Sequence, residues 1–284
     1  MGLSLGLQVY SIRESLRKDF WGAMEEVAKI GYKNIELANH RADVDSGCGF
    51  DVPAAEFKRR MDGLGLTTVS SHVSPLEKAD LGAVIEYAHM IGNANIACPM
   101  HFYRDEADVL AFAKEMNSLG EKLKKSGIQL YYHNHFHEFQ KFKGKVAFDL
   151  LLANTDPDFV SVELDTFWAL RGGVDPVAYL KKLGKRCSLI HQKDLAASAS
   201  PVDLFERIGQ GEKLDMEAFH AKGASPTDFV EAGEGVMAIG GIVAEARRIG
   251  AAKYIIIEQD FSAHAELESI AISFKNMTKL LAIK

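Results

Sequence analysis

Little in this chain of 284 residues points to crosslinking, membrane insertion or nucleic-acid binding. Its three cysteines, Cys48, Cys98 and Cys187, are an odd number with no two close together, which argues against a disulfide framework and leaves no CxxC zinc signature. No apolar stretch approaches the roughly 20 residues that a membrane-spanning helix needs. Positive charge is scarce: 33 Lys and Arg stand against 39 Asp and Glu, a formal net charge of −6 with a pI near 5.9. Without a basic footprint for a phosphate backbone, a nucleic-acid partner is not expected. Lys122, Lys124 and Lys125 form the one dense basic run and read as a solvated helix face. No GxGxxG follows any apolar run, which argues against dinucleotide binding. The opening Met1-Gly2-Leu3-Ser4 lacks the basic region and apolar core of a signal peptide. Cytoplasmic residence is expected, or periplasmic residence if a signal was removed from a precursor.

What is present is an alternation of short, β-rich apolar runs with amphipathic helical stretches, repeated eight times. The runs are Leu3–Val9, Asn34–Leu37, Thr67–Ser71, Ala94–Cys98, Gln129–His133, Val160–Leu164, Ser188–His191 and Tyr254–Glu258. Helical patterns lie between them at Trp21–Ile30, Ala54–Leu64, Leu81–Ile91, Ala107–Lys125, Pro176–Leu183, Ile239–Ile249 and Leu267–Leu281. Strands this continuously apolar are those covered by helices, so the units are parallel βα repeats. Glycines at several helix exits, such as Gly65 and Gly250, mark left-handed caps that return the chain to the next strand. Eight units without a composition break predict an α/β fold, a closed (β/α)8 TIM barrel of one domain over residues 1–284. The connection after strand 7, from His191 to Ile239, is long and broken by Gly209, Gly211, Gly233 and Gly235. A connection of that length is expected to be a functional loop.

In such a barrel, active sites gather where the strands end, and polar residues gather there in this sequence. They include Gln8 and Tyr10, Glu36, His72, His101, the run His133-Asn134-His135-Phe136-His137-Glu138, Glu163 and Asp165, His191 with Lys193 and Asp194, and Glu258 with Asp260. Six of the ten histidines fall at these ends, a segregation that helix-surface histidines would not show. Imidazole and carboxylate are costly to bury unless a metal or partner satisfies them. Histidines next to aromatics can also cap a strand through backbone hydrogen bonds. Glu138, Asp165, His191 and Glu258 are the candidate metal ligands, and a mixed oxygen and nitrogen set suits Mn, Co, Zn, Mg or Fe. Two competing structural roles are open: Asp165 as cap of the segment after it, and Glu258 as salt-bridge partner of Lys193.

These residues carry a resemblance. Gly6-Leu7-Gln8-Val9-Tyr10, Tyr132-His133-Asn134-His135 with Glu138-Phe139, Glu163-Leu164-Asp165 with Trp168, Gly172-Gly173-Val174-Asp175-Pro176, His191-Gln192-Lys193-Asp194, Gly233-Glu234-Gly235 and Ile257-Glu258-Gln259-Asp260 resemble the sugar phosphate isomerase/epimerase family of xylose-isomerase-like TIM barrels. The resemblance spans essentially the whole chain. It implies a divalent metal held by Glu, Asp, His and Glu from strands 5 to 8, and chemistry at a carbon next to a carbonyl. Where many relatives carry Glu-Asn-His, this chain has His133-Asn134-His135, so the strand 5 ligand is either Glu138 or His133.

The expected partner is a small sugar or sugar derivative, with homo-oligomerisation left open. The expected chemistry is abstraction of an α-proton by Glu258, Glu138 or His135, with the metal and Lys193 stabilising an enediolate. Gln8, Glu36, His72, His101 and His133 are expected to line the sugar pocket. Trp168 and Phe136 offer faces for a ring to stack on, or are simply packing. Besides an isomerase or epimerase, a 3-ketoglycoside lyase or hydrolase, or a dehydratase, would use the same site. An abasic-site endonuclease of the same superfamily conflicts with the acidic balance. A noncatalytic sugar-binding barrel is the remaining alternative.

Overall fold

The protein is described from a computed structural model covering residues 2–282; residues 1, 283 and 284 of the expected domain lie outside the described residues. Eight parallel strands form a closed barrel: β1 Ser4–Gln8, β2 Asn34–Asn39, β3 Thr67–Val73, β4 Asn95–Cys98, β5 Gln129–His133, β6 Val160–Asp165, β7 Cys187–Gln192 and β8 Tyr254–Ile257. They neighbour one another in chain order, and β1 closes on β8 with Leu7 opposite Ile257. β2, β3 and β6 run one or two residues beyond their predicted ends, which brings His72 and Asp165 into the strands themselves.

Alternation along the strands divides the side chains. Leu5, Leu7, Ile35, Leu37, Leu130, Tyr132, Val162, Leu164, Ile190, Ile255 and Ile257 join the main core against the helices. Val69, Ala97, Tyr131, Leu189 and Ile256 form a separate apolar layer inside the barrel. By the same period of two, His133, Glu163, Asp165, His191 and Glu258 face inward with Tyr131, Leu189 and Ile256, and lie nearer the strand ends. A dry apolar floor therefore underlies a layer of polar side chains. Register shifts interrupt the ladder between Ile35 and Glu36 and between Val162 and Glu163. Such bulges re-aim side chains next to active sites, and each here directly precedes a glutamate turned into the barrel.

The outer helices match their predicted spans to within a residue, as at Ala54–Leu64, Leu81–Ile91, Pro176–Leu183 and Ile239–Ile249. Gly65 and Gly250 cap two of them at φ 68 and 71, angles that L side chains rarely adopt. Helices at Ala147–Ala153 and Thr166–Arg171 escaped the periodicity because each is too short to complete an amphipathic pattern. The excursion after β7 is no bare loop. It holds helices at Phe205–Ile208 and Met216–Lys222, and an antiparallel ribbon pairs Asp194–Leu195 with Phe229–Val230. The buried Asp194 carboxylate ties it down, accepting from the backbone N–H groups of Leu195, Gly233, Gly235 and Met237.

Candidate active site

Four side chains from four consecutive strands converge at the barrel mouth. His133, Asp165, His191 and Glu258 each offer a ligand atom, and these atoms lie within 4.8 Å of one another. His133 Nε2 is 3.5 Å from Asp165 Oδ2, and His191 Nδ1 is 3.0 Å from Glu258 Oε2. The tautomer of His133 follows from its surroundings. Its Nδ1 lies 3.0 Å from the Pro99 carbonyl oxygen, which can only accept, so the proton sits on Nδ1. Nε2 is left as a bare lone pair, buried and without a hydrogen-bond partner. Asp165 divides its oxygens: Oδ1 caps the helix that follows, accepting from the Trp168 N–H at 2.7 Å, and Oδ2 faces the cluster. The capping role and the ligand role thus coexist.

Lys193 lies 1% exposed, with Nζ 2.6 Å from Asp165 Oδ2, 2.5 Å from Glu258 Oε2 and 3.7 Å from Asp260. Salt bridging by Glu258 therefore accompanies its place in the cluster. Below lie Glu36, His72 and Glu163: His72 Nε2 is 2.8 Å from Glu163 Oε2, and His191 Nε2 contacts Glu36 Oε2. The rings of His72 and His191 stack with centroids 5.1 Å apart. Four buried carboxylates, Glu36, Glu163, Asp165 and Glu258, share Lys193 as their one permanent cation in this cluster. Burying that much negative charge demands protons or a further cation. With the orphaned His133 Nε2 and a two-nitrogen, two-oxygen donor set, the residues fit a divalent transition metal.

The electrostatics divide the groups. Burial pushes the Glu36 carboxyl up, but the imidazoles of His72 and His191 outweigh it and hold it at about 2. Burial and the charge of Glu36 push the Glu163 carboxyl up, to about 7. Asp165 and Glu258 are also pushed up by burial, and Lys193 together with the imidazoles of His133 and His191 more than reverses this in both. Asp260, flanked by the same charges, is raised to about 7, chiefly by burial. Burial lowers His133 to about 4 and His135 well below the usual imidazole range, so both are neutral. His191 is raised well above it by Glu163 and Glu36 against burial, and a bound cation would displace that proton.

Other expected site residues stand elsewhere. Glu138 is absent from the cluster. It is fully buried, with Oε1 accepting from the Tyr132 hydroxyl and Oε2 from the His135 backbone N–H, both at 2.8 Å. The turn after β5 folds it back under its own loop, and His133 stands beside Asp165 and His191 instead. His101 stacks on Phe112 at 3.9 Å, because the chain leaves β4 through Pro99 toward the outer helix. Gln8 and Glu36 do not line an open pocket: both are fully buried and bonded to each other at 2.9 Å. His72 is likewise enclosed with Glu163, and Phe136 is buried and stacked on Phe219. His135 and Trp168 do face the site. The His135 ring sits 5.0 Å from His133 and 5.4 Å from Trp168 with Nδ1 unpartnered, and Lys193 Nζ lies 5.5 Å from the Trp168 ring centre. Asp260 joins the site without a strand-end motif of its own to single it out; the signal in the sequence is its spacing of two from Glu258, which places it on the same side of the chain.

The fold and this concentration of titratable groups at the strand ends define a barrel of the enzymatic type. The chain belongs to the xylose isomerase-like TIM barrel family, whose sequence profile matches residues 24–276. It is 34% identical over 95 residues to an inosose dehydratase of Lacticaseibacillus casei, a match covering 34% of this chain and 30% of the relative. The chain spans less than half the length of the curated relatives it matches. Its fold is similar to that of a sugar phosphate isomerase/epimerase from Parabacteroides distasonis, with a TM-score of 0.77 and 23% identity over all of this chain and 95% of that one. It is also similar to that of the IolI protein solved with a zinc atom, with a TM-score of 0.71 and 12% identity over 99% of this chain and 98% of that one.

Proposed function

We propose that this protein is a divalent-metal-dependent enzyme that removes the proton next to the carbonyl of a polyhydroxylated ketone, a ketosugar or keto-cyclitol. The observation that carries this reading is the convergence of His133, Asp165, His191 and Glu258 at the barrel mouth, with His135, Lys193 and Asp260 around it. His133, Asp165, His191 and Glu258 would hold the cation, and two nitrogen donors favour Mn, Fe, Co or Zn over the oxygen-seeking Mg. Such a cation supplies Lewis-acid stabilisation of the charge that develops on a carbonyl oxygen. His135, a neutral imidazole with a free Nδ1, takes the α-proton. Lys193 holds a fixed positive charge beside the oxygen on which negative charge grows. Trp168 offers its face to the ring carbons.

The resulting enediolate has two fates. Reprotonation gives an isomer or epimer, whereas expulsion of the β-hydroxyl gives a dehydrated product. In a symmetric epimerase, carboxylates from strands 5 and 8 would serve the two faces of the substrate, and here strand 5 presents the imidazole of His133. That asymmetry favours elimination. His135 receives the proton from carbon, the electron pair forms the new double bond, and the C–O bond breaks. Asp260 donates a proton to the departing oxygen, and one water leaves. The local similarity to inosose dehydratases supports this outcome.

The test is turnover of metal-loaded protein on a panel of inososes and ketosugars in D2O, followed by NMR and mass spectrometry. Elimination predicts loss of one water from substrate. Deuterium at the α-carbon with an epimer or isomer and no loss of water would favour the isomerase reading. Neither exchange nor turnover by metal-loaded protein across the panel would overturn both.

A further inference from the structure

We propose that Glu36 is a positioning residue for the candidate metal centre: it holds the Nε2–H of His191 and leaves Nδ1 of that ring to face the cation. The inference rests on the metal reading above. β2, which carries Glu36, contributes nothing to the four-residue cluster, yet it sends a fully buried carboxylate beneath it. The ladder shifts immediately before Glu36, and that bulge turns the side chain inward. Its Oε2 receives the Nε2 side of His191, while the Nδ1 side of the same ring lies 3.0 Å from Glu258 Oε2, the spacing of two neighbouring ligands.

Glu36 is itself braced. Gln8 donates from Nε2 to Glu36 Oε2 at 2.9 Å, and its own orientation is fixed because Gln8 Oε1 accepts from the Tyr10 N–H. His72 stacks on the ring of His191, with its Nε2 3.4 Å from Glu36 Oε2. A chain of fixed groups thus runs from β1 through β2 to the ring on β7. A carboxylate on the remote N–H of a ligating histidine fixes the tautomer and raises the basicity of the ligating nitrogen. On the other candidate histidine a backbone carbonyl, that of Pro99, takes the equivalent place.

The experiment uses the full chain, stripped with a chelator and reloaded with cobalt(II), in wild type, Glu36→Gln, Glu36→Asp and Gln8→Leu. Cobalt stoichiometry, affinity by chelator competition and the visible ligand-field band are measured, with circular dichroism to confirm folding. The expected result is one ion per chain throughout, about 10–100-fold weaker binding and a shifted band in Glu36→Gln, and smaller losses in Glu36→Asp and Gln8→Leu. Nitrogen-15 NMR of the zinc-loaded protein should place the His191 proton on Nε2. If Glu36→Gln does not fold, Glu36→Asp and Gln8→Leu decide the matter by the same readouts. Unchanged affinity and band in folded variants would overturn the proposal and leave the metal reading standing. Two ions per chain, one of them lost in Glu36→Gln, would also overturn it, making Glu36 a ligand of a second cation with His72 and Glu163. A wild-type protein that takes up no cobalt would overturn the metal reading together with this one.

Discussion

Asp165 uses one carboxylate for two purposes, and the geometry shows why they do not compete: Oδ1 closes the first turn of the next helix while Oδ2 points at Lys193 and His133. Its neighbours are equally specialised. His135, neutral and with a free Nδ1, is the proposed base, so His135→Asn should slow α-proton exchange by about 10²–10⁴-fold with metal content unchanged, read by deuterium incorporation and metal analysis. Asp260→Asn should slow loss of water more than α-proton exchange, which separates donor from base in one pair of assays. Glu138 carries a pH signature of a different kind. Burial raises its carboxyl from 4.5 to about 8, so the native state keeps a proton that the unfolded chain releases earlier. Its contribution to stability is therefore full below about 4.5 and lost as the pH rises through about 8. Glu138→Gln should flatten the decline in stability between those limits, measured by urea unfolding at pH 6 and pH 9.

At the scale of elements, the clearest statement comes from the helix Glu106–Lys125, where Gly120 interrupts a run of good helix formers. Propensity alone predicts that Gly120→Ala gains about 0.5–1 kcal/mol. Packing reverses the sign: a Cβ at Gly120 would lie 2.5 Å from the Phe159 carbonyl oxygen at the entry to β6. Gly120→Ala should instead destabilise by about 1–3 kcal/mol, seen as a lower urea midpoint with an unchanged slope. The excursion after β7 follows the same logic. Asp194 replaces the missing regular structure by collecting four backbone donors, and Gly235 must be glycine because a Cβ would meet Asp194 Oδ1 at 2.3 Å. The strand ends show what sequence periodicity misses. The bulges before Glu36 and Glu163 shift the register by pairing, not by composition, so the inward delivery of those two side chains was legible only as polar residues near strand ends.

For the whole molecule, closure of the barrel stacks an apolar floor and a layer of buried histidines and carboxylates along one axis. Such a site concentrates negative charge that folding alone must tolerate. A cation binding the native state and not the unfolded chain should therefore raise stability. Manganese or zinc at a hundredfold excess over its dissociation constant should add about 2.7 kcal/mol, visible as a higher Tm that EDTA reverses. An unchanged Tm across these metals would sink the metal reading of the cluster. Among the described residues no helix is long and apolar enough to cross a membrane.

The sequence by itself determined the eight βα units, their order and the strand ends at which chemistry collects, because these depend on local periodicity and on glycine at left-handed caps. It also nominated Asp165, His191 and Glu258, each one or two positions from a recognisable apolar run. Tertiary structure alone decided which strand 5 side chain joins them. His133 and Glu138 are close in sequence and alike in their capacity to ligate, but a tight turn buries Glu138 against Tyr132 and leaves the His133 ring facing Asp165. It also decided that Glu36, Gln8 and His72 lie beneath the cluster instead of lining an open pocket. Depth within a closed barrel depends on register and bulges between strands distant in sequence, and no single segment carries that information.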